Sequence, residues 1–270
     1  MDLSDPVPSP AAHTAPQVYY VGRRRPPGSI MKTYRNFIHN EWVAPDNGAL
    51  MAVDNPATEK LVAHVSAAST AQVNAACEAA ALAQRAWRRL PGIERGRFLH
   101  ALADALVARK DAIGAALARE SGKSLQDATN ETVYAADITR YHAEWARRIE
   151  GEVIPSDAGN ENLVLHREAI GVVACLIPFN YPVYTLLRKI APALIAGNTV
   201  VVRPSNNTPC SAFEVAHAVL DAGLPPGVVN IMTMGHAEAE IMCTHPRVGM
   251  ITLTGGLKAG RRVLDYAKVN

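Results

Sequence analysis

The stretch 171–205, GVVACLIPFNYPVYTLLRKIAPALIAGNTVVVRPS, decides the fold of this chain. Residues 171–177 are apolar and rich in β-branched side chains. This composition is typical of a strand whose two faces are both buried, as in a parallel sheet. Pro178 ends the strand, because proline has no backbone N–H with which to continue a central ladder.

A helix and a second strand follow. From Pro182 onwards apolar residues recur at helical spacing, and Gly197 is suited to cap the helix. Residues 198–202 are again apolar and β-branched, which indicates another strand. The stretch is therefore a strand–helix–strand unit. Its tight turn, residues 179–181, lies at the carboxyl end of the first strand, the edge at which open α/β sheets bind ligands.

The same alternation continues to the end of the chain. Strands are predicted over 228–232 and 249–254, and helices over 208–223, 236–245 and 258–268. Strands separated by helices require right-handed crossovers and a parallel sheet. The sequence therefore predicts an α/β fold, a Rossmann-like parallel sheet with helices on both faces.

The first half of the chain contains hairpin and helix patterns. Two short strands around an Asn-containing turn are predicted over 37–43, and turn-forming residues inside 152–166 predict a second hairpin. Ser69 and Gln72 form a capping box before the first helix. Three more helices are predicted over 91–110, 112–120 and 125–151. The last of these should turn four side chains inward: Val133, Ile138, Tyr141 and Trp145.

Composition limits the classes of protein. The chain has 270 residues, 49% apolar and 19% charged, with a formal net charge of +2. This balance is that of an ordinary globular protein, and the charge is too small to favour nucleic acid. No apolar segment has the roughly 20 residues that a membrane span needs. Four widely spaced cysteines predict no metal site and fit a reducing, cytoplasmic location.

Residues 1–30 are rich in Pro, Ser, Ala and Arg and show no periodicity. Met31 directly precedes residues 32–38, where the patterned part of the chain begins, which favours Met31 as the biological start of the protein. The alternative is a disordered leader.

The turn and the end of the second strand resemble motifs of the aldehyde dehydrogenase superfamily. They read Pro178-Phe179-Asn180-Tyr181-Pro182 and Arg203-Pro204-Ser205-Asn206. The resemblance runs from about Tyr34 to the last residue. It implies that 31–270 form the family's dinucleotide-binding domain, truncated before the catalytic Glu and Cys, with the catalytic domain absent.

The resemblance assigns roles to three residues of the turn region. It implies that the carboxamide of Asn180 donates to the developing oxyanion, although an Asn chosen for turn geometry is the alternative. Tyr181 and Arg188 occupy positions that line the family's aldehyde tunnel. In having Arg at position 188, the chain is similar to family members that act on substrates like lactaldehyde and succinate semialdehyde. A structural salt bridge is the alternative role for Arg188.

The resemblance also implies a site for NAD or NADP. Arg203 replaces a Lys that holds ribose hydroxyls, and Asn206 replaces a Glu that repels a 2′-phosphate, so NADP should be tolerated at least as well as NAD. Thr254-Gly255-Gly256 is similar to the turn that brings pyrophosphate to a helix N-terminus. The predicted cofactor-binding residues are Ile177, Pro178, Phe179, Arg203, Ser205, Asn206, Gly235, Thr254, Gly255 and Gly256.

Two functions are compatible with these features. The first is NAD(P)-dependent oxidation of an aldehyde to a carboxylic acid by an enzyme of which this chain is the N-terminal part. Such chemistry needs a thiolate nucleophile and a base, and Cys175, inside a predicted strand, should be packed rather than reactive. The second is a non-catalytic nucleotide-binding or subunit-interaction module. In the family the hairpin at 152–166 pairs with another subunit, which implies a homo-oligomer, dimer or tetramer; a hairpin folded on its own domain is the alternative.

Overall fold

The structure, a computed structural model, describes residues 32–269. The expectations for residues 1–30 and for Met31 lie outside these residues. In chain order the strands are β1 Thr33–Tyr34, β2 Asn36–Ile38, β3 Glu41–Val43, β4 Leu50–Asp54, β5 Leu61–Ser66, β6 Glu152–Ile154, β7 Leu163–Leu165, β8 Val172–Leu176, β9 Thr199–Arg203, β10 Val229–Ile231 and β11 Val248–Leu253. The α-helices are α1 Thr70–Trp87, α2 Gly92–Ala108, α3 Lys110–Ser121, α4 Leu125–Ala143, α5 Pro182–Ile195, α6 Cys210–Asp221, α7 His236–Cys243 and α8 Leu257–Tyr266.

The central sheet has six strands in the order β11-β8-β9-β10-β2-β3. The four predicted strands β8 to β11 are parallel, as expected. Beyond these four strands the sheet is mixed, because β2 pairs antiparallel with β10 and carries β3 as the edge strand. The β2–β3 turn places His39 and Asn40 at positive φ, the conformation that a two-residue hairpin requires.

Helices cover both faces of this sheet, which confirms the predicted fold class. Side chains of a strand alternate between faces. Val173 and Cys175 of β8 pack into one apolar cluster with α2 to α6, whereas Val172 and Ala174 pack into another with α1 and α7. All five residues of β8 are buried, and so are the first four of β9. The apolar sequence of the organising stretch is thus explained by burial on both sides.

The unit β8–α5–β9 forms as the sequence predicts. Pro182 occupies the first turn of α5, and Gly197 follows the helix with φ 89°, a left-handed conformation that favours glycine. Trp87 of α1 donates from Nε1 to the carbonyl of Leu194 over 3.0 Å and so ties α1 to the end of α5.

Three of the N-terminal helices agree with their sequence signals. The capping box of Ser69 and Gln72 begins α1, and Gly122 ends α3 at φ 75°. The fourth helix does not. It ends at Ala143, a short 3-10 turn follows over Glu144–Arg147, and Tyr141 and Trp145 are exposed instead of turned inward.

The error in α4 has a packing cause. The helix lies against α2, α3 and α5, and its buried side consists of small or polar residues, which allow the close approach of several helices. These are Ala128, Glu131, Thr132, Ala135, Ala136, Thr139 and Ala143. The strands β4 and β5, which form a three-stranded sheet with β1, were not predicted at all.

The second hairpin forms a separate two-stranded sheet, β6 paired with β7. All six strand residues are exposed, including Val153, Ile154, Leu163, Val164 and Leu165. The alternative of a hairpin folded against its own domain is therefore wrong for the strands themselves. Among residues 32–269, no helix has the combination of length and apolar character that crossing a bilayer demands.

Candidate active site at the carboxyl edge of the sheet

Backbone hydrogen bonds bring three strand ends together. Ile177 donates from its amide to the carbonyl of Arg203 over 3.0 Å, which joins the ends of β8 and β9. Thr254 donates to the carbonyl of Leu176 over 3.3 Å, which joins the ends of β8 and β11. The turn formed by residues 178–181 therefore rises between the predicted ribose-binding and pyrophosphate-binding segments.

A groove of about 800 Å³ lies beside this turn. Four of the predicted site residues line it: Asn180, Tyr181, Arg188 and Thr254. The groove is also lined by four residues of α4 (Tyr134, Asp137, Ile138 and Tyr141) and by Tyr184 and Thr185 of α5. A groove of this size, with apolar walls and a few polar groups, is suited to a small organic ligand.

The residues of α4 in this groove were missed as site residues. Tyr134 and Tyr141 are 57% and 56% exposed, and both reach the groove rather than the core. Aromatic residues at helical spacing usually indicate a buried face, so the pattern alone predicts packing.

Arg188 lines the groove from the exposed side of α5. It forms no salt bridge with any residue in the range 32–269, so the structural role considered for it has no partner there. The neighbouring Lys189 is instead structural, since its Nζ donates to Oγ1 of Thr252 over 2.9 Å.

At the end of β9, the two predicted ribose-binding side chains donate hydrogen bonds to the same backbone carbonyl. Arg203 donates from Nη2 and Asn206 from Nδ2 to the carbonyl of Met234, over 3.4 and 3.2 Å. Burial lowers the pKa of the Arg203 guanidinium. The Nε of Arg203 and the Oδ1 of Asn206 are buried without a hydrogen-bond partner in the described part of the chain, which leaves one donor and one acceptor unsatisfied.

The N-terminus of α8 is open. Gly256 precedes its first turn, no side chain caps it, and a Cβ at Gly256 would meet nothing within 4 Å. Thr254 and Gly255 are exposed beside it. Free backbone N–H groups at a helix N-terminus attract phosphate, so an open N-terminus of this kind is suited to an anionic group.

Four further predicted cofactor residues lie in or beside the turn. Ile177 is buried, Pro178 and Ser205 are half-buried, and Phe179 is 58% exposed, with its carbonyl accepting from Oγ1 of Thr208. Gly235 is placed differently. It directly precedes α7 and lines a second cavity of about 700 Å³ with Ser69 and Glu238, apart from the groove at Asn180.

None of the four cysteines reaches the groove, and all four are buried. Burial raises the pKa of each of the Cys77, Cys175 and Cys243 thiols to about 12, and raises that of Cys210 as well. A thiol is nucleophilic only as a thiolate, so these side chains are inert packing groups. The prediction that Cys175 is packed is confirmed.

Two buried carboxylates were missed entirely. Glu120 and Glu131 are 2% and 1% exposed, and each accepts two backbone N–H groups at the start of a helix that follows a sheet strand. Buried Glu is rare enough to be informative, but a single sequence does not show which Glu is buried.

Comparison with known proteins identifies the class. Residues 42–270 match the aldehyde dehydrogenase family, and the chain belongs to that family. It is 37% identical over 243 residues to lactaldehyde dehydrogenase of Escherichia coli, covering 90% of this chain and 51% of the relative. It is 35% identical to mitochondrial succinate-semialdehyde dehydrogenase of Arabidopsis thaliana, covering 86% and 44%.

Solved structures agree with the fold. The crystal structure of lactaldehyde dehydrogenase from Escherichia coli superposes with a TM-score of 0.86 at 35% identity, covering 88% of this chain and 50% of that one. The NADP complex of glyceraldehyde-3-phosphate dehydrogenase from Bacillus halodurans gives 0.84 at 35% identity, covering 87% and 51%. The chain spans about half the length of the curated relatives it matches.

Proposed function

We propose that this chain is the dinucleotide-binding part of an NAD(P)-dependent aldehyde dehydrogenase, which oxidises an aldehyde to a carboxylic acid. The observation that supports the proposal most is the groove beside the turn at 178–181. It collects Asn180, Tyr181, Arg188 and Thr254, which come from α5, its preceding turn and the segment after β11.

In this proposal Asn180 binds the aldehyde oxygen. Its carboxamide is an N–H donor, and a donor fixed where negative charge develops lowers the barrier to attack on a carbonyl. Arg188 then faces the rest of the substrate. Because Arg188 forms no salt bridge among residues 32–269, an anionic or hydroxylated aldehyde suits the groove, such as a semialdehyde acid or lactaldehyde.

The cofactor would bind across the ends of β9 and β11. It supplies a hydride acceptor, while Arg203 and Asn206 would hold the ribose end and the N-terminus of α8 the pyrophosphate. The unsatisfied Nε of Arg203 and Oδ1 of Asn206 support a polar ligand at this place. Compared with the Lys and Glu that they replace, the guanidinium of Arg203 and the neutral amide of Asn206 are more favourable to a 2′-phosphate. NADP should therefore bind at least as well as NAD.

The thiol nucleophile and the base would come from sequence other than these residues, because the four thiols are buried away from the groove. The chain would act in the cytoplasm, where free cysteines persist. It would form a homo-oligomer, dimer or tetramer, through the exposed strands β6 and β7.

A non-catalytic nucleotide-binding or subunit-interaction module is the second candidate. The favouring observation is that Arg203 and Asn206 both donate to the carbonyl of Met234, which competes with a ligand for the same donors. Such a module would bind dinucleotides weakly, and its affinities for NAD and for NADP, which carries the 2′-phosphate, would be equal.

Calorimetric titration of the folded chain with NAD and with NADP tests the proposal. We expect NADP to bind at least as tightly as NAD, and Arg203→Ala to weaken NADP by about tenfold or more, since a charge-assisted bond contributes about 1.5–3 kcal/mol. Arg97→Ala, an exposed arginine on α2, is the control and should change neither affinity. A clear preference for NAD that persists in Arg203→Ala would contradict the assignment of the ribose site.

A further inference from the structure

The turn that carries Asn180 has no cap of its own. Tyr181 precedes α5 and makes no side-chain hydrogen bond to the helix, and Pro182 follows it without an N–H to donate. The first free amides of α5, those of Val183 and Tyr184, must therefore find an acceptor elsewhere or remain unsatisfied in a buried place.

That acceptor is Glu131 of α4. Its Oε1 accepts from the amide of Val183 over 2.9 Å and from the amide of Tyr184 over 3.1 Å. The carboxylate is 1% exposed, so these bonds lie out of water and are stronger for it. A negative charge at this end of α5 also matches the helix dipole.

The second oxygen of Glu131 is held by Lys123, which precedes α4. The Nζ of Lys123 lies 3.8 Å from the centre of the Tyr181 ring, within the range of a cation–π contact. One ammonium group thus contacts both the buried carboxylate and the ring of the residue next to Asn180. Glu131 therefore holds the turn through the first amides of α5, and Lys123 holds it through the ring of Tyr181.

We propose that Glu131 and Lys123 are positioning residues, which hold the Asn180–Tyr181 turn in the orientation that the groove requires. The inference rests on the proposed function, because the orientation matters only if Asn180 contacts the aldehyde. A second carboxylate provides a matched comparison: Glu120, at the end of α3, accepts from the amides of Cys210 and Ser211 at the start of α6, over 2.6 and 3.0 Å.

Nuclear magnetic resonance of the isotope-labelled 270-residue chain tests the inference without dinucleotide or aldehyde. The readouts are hydrogen exchange at Val183 and Tyr184 and the side-chain amide signal of Asn180, assigned by its loss in Asn180→Asp. In Glu131→Gln we expect exchange at both amides to quicken by about tenfold or more and the Asn180 signal to move. In Glu120→Gln only Cys210 and Ser211 should exchange faster.

The lysine is tested separately, which keeps the inference falsifiable if Glu131→Gln does not fold. Lys123→Met should shift the Tyr181 ring signals and the Asn180 amide signal, and Lys123→Arg should restore both, because Arg keeps the charge over the ring. If Glu131 and Lys123 only capped α5 and did not position the turn, their substitution would lower stability and leave the Asn180 signal in place.

Two results would overturn the inference: an Asn180 signal unmoved in both Glu131→Gln and Lys123→Met, or one that moves equally in Glu120→Gln. A chain that binds no dinucleotide but shows the expected shifts would refute the proposed function and keep the positioning role.

Discussion

Glu120 shows how one buried side chain sets the pH response of the fold. Burial raises the pKa of its carboxyl to about 7, against the opposing effect of the two amides it accepts from. Between the ordinary value of 4.5 and this value the folded chain holds a proton that the unfolded chain has released. Stability therefore falls as the pH rises through this window and is fully retained only below it.

Glu120→Gln removes this titration. We expect the wild-type chain to lose about 3 kcal/mol of stability relative to Glu120→Gln between pH 4.5 and pH 8. Denaturant unfolding of both proteins across this range measures it. Burial lowers the pKa values of His142, His217 and His245, but these histidines are common to both proteins, so their contributions cancel. A difference in stability that does not change with pH would show that folding does not raise the pKa of Glu120.

The burial of the cysteines leads to a prediction about aldehyde oxidation by the 270-residue protein on its own. Because all four thiols are buried and have raised pKa values, the 270-residue protein should not reduce NAD or NADP in the presence of an aldehyde. Absorbance at the nicotinamide band measures this. Activity that survives both Asn180→Ala and replacement of all four cysteines by serine would contradict the mechanism and the role of Asn180.

At the scale of elements, the hairpin β6–β7 exposes apolar side chains on both strands, and Val153 faces Val164 across the pair. Exposed apolar strands drive association with another copy. Val164→Lys should therefore shift the chain towards smaller species in analytical ultracentrifugation. Leu82→Lys, a leucine on α1 that is 64% exposed, is the matched control and should leave the distribution unchanged. A wild-type chain that is a monodisperse monomer would refute self-association through the hairpin.

Elements defined by local signals were predictable from the sequence. The β8–α5–β9 unit, the capping box of α1 and the end of α3 at Gly122 depend on residues close together in the chain. The hairpin of β2 and β3 was predicted over 37–43, but its place in the main sheet was not, because pairing with β10 is a contact between distant parts of the sequence. The inward face of α4 was wrong for the same reason: contact with three helices favours small residues there, and its aromatic residues line the groove.

The site was predictable in part. The turn at Asn180 and the positions of Tyr181 and Arg188 follow from the strand–helix–strand motif, and the structure brings them to one groove. The carboxylates that cap α5 and α6 lie 52 and 90 residues before the amides they bind, so no local pattern indicates them.

At the scale of the whole molecule, the carboxyl edge of the sheet is the proposed dinucleotide cleft. Mapping of backbone amide shifts during titration of the labelled chain with NADP tests this claim most directly. We predict saturable shifts at Arg203, Asn206, Gly255 and Gly256, with none at Ser69, in the second cavity. Shifts confined to that cavity, or no shift at the end of β9 and the start of α8, would contradict it.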